Sequence, residues 1–300
     1  PEEYARLIQL FQHTNQAFPF EGNRIAVYTE GYTKLQSLLR ELQKAKQHIH
    51  MEYYIFEDDA IGRLVRDVLI EKASQGVEVR VIYDDVGCWH VPNRFFEEMR
   101  NAGIEVRSFL KVRFPLFTSR VNYRNHRKIV VVDGRIGFVG GMNLAERYMR
   151  GFSWGIWRDT HILIEGKAVH GLQTAFLLDW YFVDRTLITA SRYFPKIESC
   201  GNSLVQVVTS EPIGPWKEIM QGLTMAINGA KKYFYMQTPY FLPTEQVLVA
   251  MQTAALAGVD IRLMLPERAD NRITHLGSHS YLRDVLQAGV KVYFYKKGFL

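Results

Sequence analysis

The spacing of apolar residues changes several times along the first part of the chain, and each change marks an element. From Gly31 to Lys44, Leu35, Leu38, Leu39 and Leu42 recur three or four apart with polar residues between them, which predicts an amphipathic helix. His48 to Phe56 then reads as a buried strand, Ile61 to Ser74 returns to the helical period, and Glu78 to Asp84 reads as another strand. A helix over Asn93 to Asn101 and a strand over Glu105 to Phe109 continue the series. Further on, Ile129 to Val132 is a short apolar run, Asp133-Gly134 its turn, and Ile136 to Val139 the next strand. Thr160 to Ile164 reads as a strand as well. Alternation of this kind predicts an α/β fold with a mixed or mostly parallel sheet and helices on both faces.

The pattern occurs twice. Ala45 to Phe56 has a counterpart in Ala230 to Phe241 at an offset of 185 residues. Gly76 to Val81 matches Gly258 to Leu263 at an offset of 182, and Ala102 to Val106 matches Ala288 to Val292 at 186. A single Ala-Gly-Val step is a common junction between helix and strand, but three blocks in one order indicate an internal repeat. The expectation is two similar α/β/α lobes about an approximate twofold axis, residues 1–200 and 201–300, with ligands in a cleft at the carboxyl ends of the strands.

Composition changes this picture little. Apolar residues at 47% and charged residues at 23% are ordinary for a globular protein. Cys88 and Cys200 stand far apart, which suits a reducing compartment better than a disulfide framework. The most apolar stretch, Ala175 to Thr189, is broken by Asp179, Asp184 and Arg185, so no run of the roughly 20 apolar residues needed to span a bilayer is present. The stripe Leu172, Ala175, Phe176, Asp179, Trp180 reads as core packing of a helix.

Charge is more informative. The net charge is +6, and from Arg107 to Lys128 there are seven basic residues (Arg107, Lys111, Arg113, Arg120, Arg124, Arg127, Lys128) and no acidic one. Phe109, Phe114, Phe117 and Tyr123 interleave with them. Such a segment suits an anionic interface, a membrane surface or nucleic acid; a solvated basic loop is the bland alternative.

At the end of that segment comes Asn125-His126-Arg127-Lys128, then Asp133, then Gly140-Gly141-Met142-Asn143. His126 and Lys128 lie two apart on extended chain, so both project from one face at the mouth of a buried strand. An imidazole beside an ammonium suits attack on a phosphodiester, His126 as nucleophile and Lys128 balancing charge on the phosphoryl oxygens. Gly140 and Gly141 let backbone approach a phosphate, and Asn143 can donate a further hydrogen bond.

This constellation resembles the HKD signature of the phospholipase D superfamily. The stretches Glu52-Tyr53-Tyr54-Ile55-Phe56, Trp157-Arg158-Asp159-Thr160-His161 and Gln237-Thr238-Pro239-Tyr240-Phe241 are similar to bacterial cardiolipin synthases of the phospholipase D type. The resemblance implies a covalent phosphatidyl-histidine at His126 and a catalytic set of His126, Lys128, Asp133 and Asp159. In that set Asp133 supports the motif structurally and Asp159 orients the imidazole as a triad acid does. Phosphate would be held by Lys128, Asn143 and Gly141, with Glu52 and Tyr240 lining the cleft. Two molecules of phosphatidylglycerol would yield cardiolipin and glycerol at the cytoplasmic face of the cell membrane, with no cofactor, metal or nucleic acid required. The family carries two such motifs, and its second follows a Gly-Phe-Leu step like Gly298-Phe299-Leu300. A second histidine is therefore expected just beyond Leu300, and membrane helices before Pro1.

Two other functions fit the same residues: a hydrolytic phospholipase D or nuclease, and a membrane-binding fragment without activity of its own. His48 with His50, and His275 with His279, have spacings compatible with a metal but read as cleft-lining or core histidines.

Overall fold

A computed structural model describes residues 4–110, 124–211 and 214–300. Lys111, Arg113, Phe114, Phe117, Arg120 and Tyr123 of the basic segment lie outside the described residues. Two compact units are formed, and they interleave along the chain. One comprises Pro19–Arg150 and Asp159–Val207; the other comprises Pro1–Phe18, Gly151–Arg158 and Val208–Leu300.

The chain opens with α1 (Ala5–Asn15), which belongs to the second unit. The first unit then runs β1 (Pro19–Tyr28), α2 (Gly31–Lys44), β2 (His48–Tyr53), α3 (Ala60–Ser74), β3 (Glu78–Asp84), α4 (Asn93–Asn101) and β4 (Glu105–Phe109). It continues through β5 (Ile129–Val132), β6 (Ile136–Gly140) and α5 (Arg147–Arg150). After β7 (Ile156–Trp157), which lies in the second unit, come β8 (His161–Glu165), α6 (Val169–Asp184) and β9 (Ser203–Gln206).

Among the described residues the strands of the first unit form one sheet in the order β4-β3-β2-β5-β6-β8-β1-β9. The β2, β3 and β4 strands are parallel, and the pairs from β2–β5 onward are antiparallel, so the sheet is mixed. Its pleat sorts the side chains. Ile49, Met51, Tyr53, Val130 and Val132 pack with Leu35, Leu38 and Leu42 of α2 and with Val65 and Leu69 of α3. Ile129, Val131 and Ile164 point the other way, onto Val169, Leu172 and Ala175 of α6. Leu38 and Leu42 are fully buried, and each such side chain contributes roughly 2 kcal/mol.

Five boundaries differ from the sequence reading: α3 begins one residue early at Ala60, β6 and β8 each end one residue late at Gly140 and Glu165, and the other two have a visible cause. The β2 strand ends at Tyr53 rather than Phe56, because Ile55 N bonds to Asn143 Oδ1 (3.0 Å) and Phe56 N to Cys88 Sγ (3.3 Å) instead of to a neighbouring strand. The β8 strand begins at His161 rather than Thr160, whose N–H is taken by Asp159 Oδ1 at 2.6 Å.

The second unit contains α7 (Glu218–Gly229), β10 (Tyr233–Gln237), α8 (Glu245–Leu256), β11 (Asp260–Pro266), α9 (Arg272–Ser280), α10 (Leu282–Gln287), β12 (Lys291–Tyr295) and β13 (Gly298–Phe299). Its strands β10, β11 and β12 are parallel in that order, the same local arrangement as β2, β3 and β4, which is the internal repeat expressed as structure. Ile261, Leu263 and Leu265 pack with Val247 and Met251 of α8 and Val285 of α10. The short β13 pairs with β7.

Candidate active site

The alternation of β5 continues back through Asn125 to Lys128. Asn125 and Arg127 reach toward α6, where both donate to Asp179. His126 and Lys128 turn the other way, onto Tyr54, the first residue after β2. His126 is solvent-accessible as a residue, but its imidazole is partly covered where it stacks on the Tyr54 ring with centroids 3.9 Å apart. Lys128 is buried, its Nζ lies 5.4 Å from the centroid of the same ring, and it donates to the His126 carbonyl oxygen at 2.5 Å. One of three ammonium donors is thereby used, and two remain for an anion.

Burial, reinforced by the neighbouring Lys128 charge, lowers the pKa of His126 below the usual imidazole value. The ring is therefore neutral at pH 7, as a nitrogen nucleophile must be. Burial also brings the Lys128 ammonium down to about 8, against the opposing pull of Asp159, Asp84 and Glu52. At neutral pH the pair is a free imidazole beside a cation.

Asp159 stands just before β8. An added Cβ at Gly141 would collide with the Asp159 carboxylate, so the absence of a side chain there seats this acid. Asn143 is buried with both ends engaged, Oδ1 accepting from Ile55 N and Nδ2 donating to Tyr148 Oη at 2.6 Å. Its neighbours give it a clear scaffold role: it holds the bend that releases Tyr54 from β2.

Asp133 sits at the far end of β5 from His126, about 20 Å of extended chain away. Its carboxylate accepts from the backbone N–H groups of Lys46 (2.9 Å), Gln47 (2.8 Å) and His48 (2.9 Å), closing the connection from α2 to β2. Asp133 and Gly134 both have positive φ, 53° and 65°, as a type I′ turn requires, and Arg135 N closes the turn on Val132 O at 3.0 Å. Glu52 is buried beside Asn125 in the first unit. Tyr240 lies in the second unit, where its hydroxyl donates to Asp270 Oδ2 at 2.6 Å.

His48 and His50 are core residues bridged by an amide: Gln173 Oε1 meets His48 Nε2 at 3.0 Å, and Gln173 Nε2 meets His50 Nδ1 at 2.7 Å. His275 and His279 lie side by side on α9 with ring centroids 4.0 Å apart and planes tilted by 51°.

Three participants escaped the sequence reading. Tyr54 leaves no periodic trace because it stands outside the strand. Asp179 had a signal, an acid inside the apolar stripe of α6, where a buried carboxylate needs a partner. Lys34 is fully buried on α2, donates to Tyr53 Oη at 2.8 Å, and is lowered by burial to about 7.

The family described as "Cardiolipin synthase, PLD-like domain" matches residues 38–180 and 223–300. The chain is 44% identical over 282 residues to the cardiolipin synthase of Geobacillus kaustophilus, covering 93% of this chain and 56% of that protein. It is 42% identical over 298 residues to the major cardiolipin synthase ClsA of Bacillus subtilis, covering 98% and 62%. The chain thus spans little more than half the length of these relatives. Among solved structures, phosphatidylserine synthase of Haemophilus influenzae superposes with a TM-score of 0.67 at 14% identity, covering 98% of this chain and 78% of that one, a likeness of fold.

Proposed function

The chain belongs to the PLD-like domain family of cardiolipin synthases, and from that premise we propose that the whole protein is a phosphatidyltransferase making cardiolipin and glycerol from two molecules of phosphatidylglycerol. His126 attacks phosphorus, the bond from phosphorus to the glycerol oxygen breaks, and a phosphatidyl-histidine forms. Lys128 stabilises charge on the phosphoryl oxygens. The departing glycerol oxygen takes a proton from a general acid, in this proposal a second histidine in the remainder of the protein. The hydroxyl of another phosphatidylglycerol then attacks the same phosphorus, the phosphorus–nitrogen bond breaks, and its proton passes to the base left by the first step. One phosphodiester is exchanged for another, so no nucleotide is consumed. Asp133, Asn143 and Gly141 support this machinery as scaffold, and Asp159 supplies negative charge beside Lys128. The reaction takes place at the cytoplasmic face of the cell membrane, although no helix among the described residues is long and apolar enough to cross one.

The observation that carries this reading is the convergence of the His126 imidazole and the buried Lys128 ammonium on one ring, Tyr54. The test uses the whole protein with vesicles of phosphatidylglycerol and no added nucleotide. Glycerol and cardiolipin should appear in equal amounts, and His126→Ala should abolish both. Phosphatidic acid without cardiolipin would identify a hydrolase instead.

A further inference from the structure

On the α6 side of the segment that carries His126 and Lys128 into β5, polar side chains are buried against one another. Glu52 of β2 is 1% exposed, Asp179 of α6 7% and Asn125 8%. One amide nitrogen serves both acids: Asn125 Nδ2 donates to Glu52 Oε1 and, at 3.2 Å, to Asp179 Oδ2. Its Oδ1 accepts from Arg127 N at 2.9 Å, and the Arg127 guanidinium donates back to Asp179 Oδ2. Positions 125 and 127 are thus pinned from one face while 126 and 128 are presented on the other.

Within the hydrogen-bonded set of Glu52, Asn125, Arg127 and Asp179, two ionised acids would face a single guanidinium. Two carboxylates on a single buried amide nitrogen repel each other, and the Arg127 guanidinium donates to Asp179. Glu52 Oε2 is buried without a hydrogen-bond partner, a position that costs a neutral carboxyl far less than a carboxylate. Among the described residues the other charged or titratable groups near the cluster are Lys128, across the strand, Asp84 of β3 with Arg124 beside it at 4.0 Å, and His50 two residues before Glu52. Asp84 is itself committed to backbone, accepting from Asn125 N at 3.3 Å and from Val86 and Gly87 N at 2.9 Å.

We propose that Glu52 and Asp179 are positioning residues, a carboxyl pair holding one proton that clamps Asn125 and Arg127 and thereby sets His126 and Lys128 for attack. The role in catalysis rests on the phosphatidyltransferase reading; the shared proton does not. Burial, followed by the charge and hydrogen bond of Asp179, pushes the Glu52 carboxyl well above the usual range, outweighing Arg127 and Asn125. A glutamine at position 52 would keep the shape and a donor toward Asp179 while being unable to ionise.

Infrared spectra of the whole protein at neutral pH should show a protonated-carboxyl C=O band that Glu52→Gln removes. In steady-state cardiolipin synthesis, Glu52→Ala should lower kcat about 30-fold with KM within about twofold, as expected of misplaced reacting groups. Glu52→Gln should restore most of that loss, and Asp179→Asn serves as the second kinetic variant if Glu52→Ala does not fold. Absence of the band, or an unchanged kcat in Glu52→Ala, overturns the proposal. If the wild-type protein makes no cardiolipin, the functional reading fails while the infrared comparison still decides whether the proton is shared.

Discussion

The imidazole of His126 lies almost flat on the ring of Tyr54, with centroids 3.9 Å apart and planes 18° apart. The stack fixes the plane of the imidazole and so the direction in which its ring nitrogens face. It also places an aromatic face under the Lys128 ammonium, where attraction of the cation holds the two groups together.

Tyr54→Phe keeps the ring and should retain near wild-type turnover. Tyr54→Ala frees the imidazole and should lower kcat about tenfold, an effect of lost orientation. Glycerol release by the whole protein measures both. Equal losses in the two variants would assign the role to the hydroxyl rather than the ring.

The rate should have two limbs in pH. His126 reacts when neutral, and burial holds its pKa below the usual 6.5, so activity is retained into mildly acidic conditions and lost as pH falls through that lowered value. Lys128 acts when protonated and titrates near 8, so activity declines as pH rises through about 8. Lys128→Arg, whose guanidinium stays charged, should shift the alkaline limb upward in a profile of kcat/KM against pH.

Asp133 should matter to stability more than to chemistry. Asp133→Ala leaves three backbone N–H groups without their acceptor and places alanine at a positive φ, for an expected loss of about 3 kcal/mol. Asp133→Asn keeps an acceptor oxygen and tolerates that backbone better, so it should lose less. Urea denaturation measures both, and activity per folded molecule should change little at a permissive temperature.

A separate pH effect lies in the core. Burial depresses the His50 pKa to about 4, so between pH 6.5 and 4 the unfolded chain binds a proton that the folded chain refuses. Its contribution is complete above pH 6.5 and falls by roughly 3 kcal/mol as the pH drops to 4. His50→Gln cannot take the charge, so its urea midpoint should fall less between pH 7 and pH 4.5 than that of the wild type.

Much of the first unit was legible in the chain because periodicity is local. The α2, β3, α4, β4 and β5 elements begin and end where the apolar pattern changes, and the repeat foretold that β10, β11 and β12 would follow the order of β2, β3 and β4. Beyond one-residue differences at the ends of α3, β6 and β8, errors occurred where a side chain replaced a strand as backbone partner, Asn143 and Cys88 after β2 and Asp159 before β8. Such bonds join positions remote in sequence and have no local period.

Sequence alone determined that His126 and Lys128 share the side of their strand opposite Asn125 and Arg127, because a pleat of period two admits no other sorting. It also determined the glycine at 141 and the acid at 159. Tertiary structure alone decided what those residues meet: Tyr54 under the imidazole, the Asp159 carboxylate in the space a Cβ would fill, Asp179 brought from α6 to Asn125 and Arg127, and the backbone of residues 46–48 brought to the Asp133 carboxylate. The reason is physical. Alternation along a chain is set by backbone geometry, whereas the partner of a buried polar group is set by whichever distant element packs against it, and only folding brings that element there.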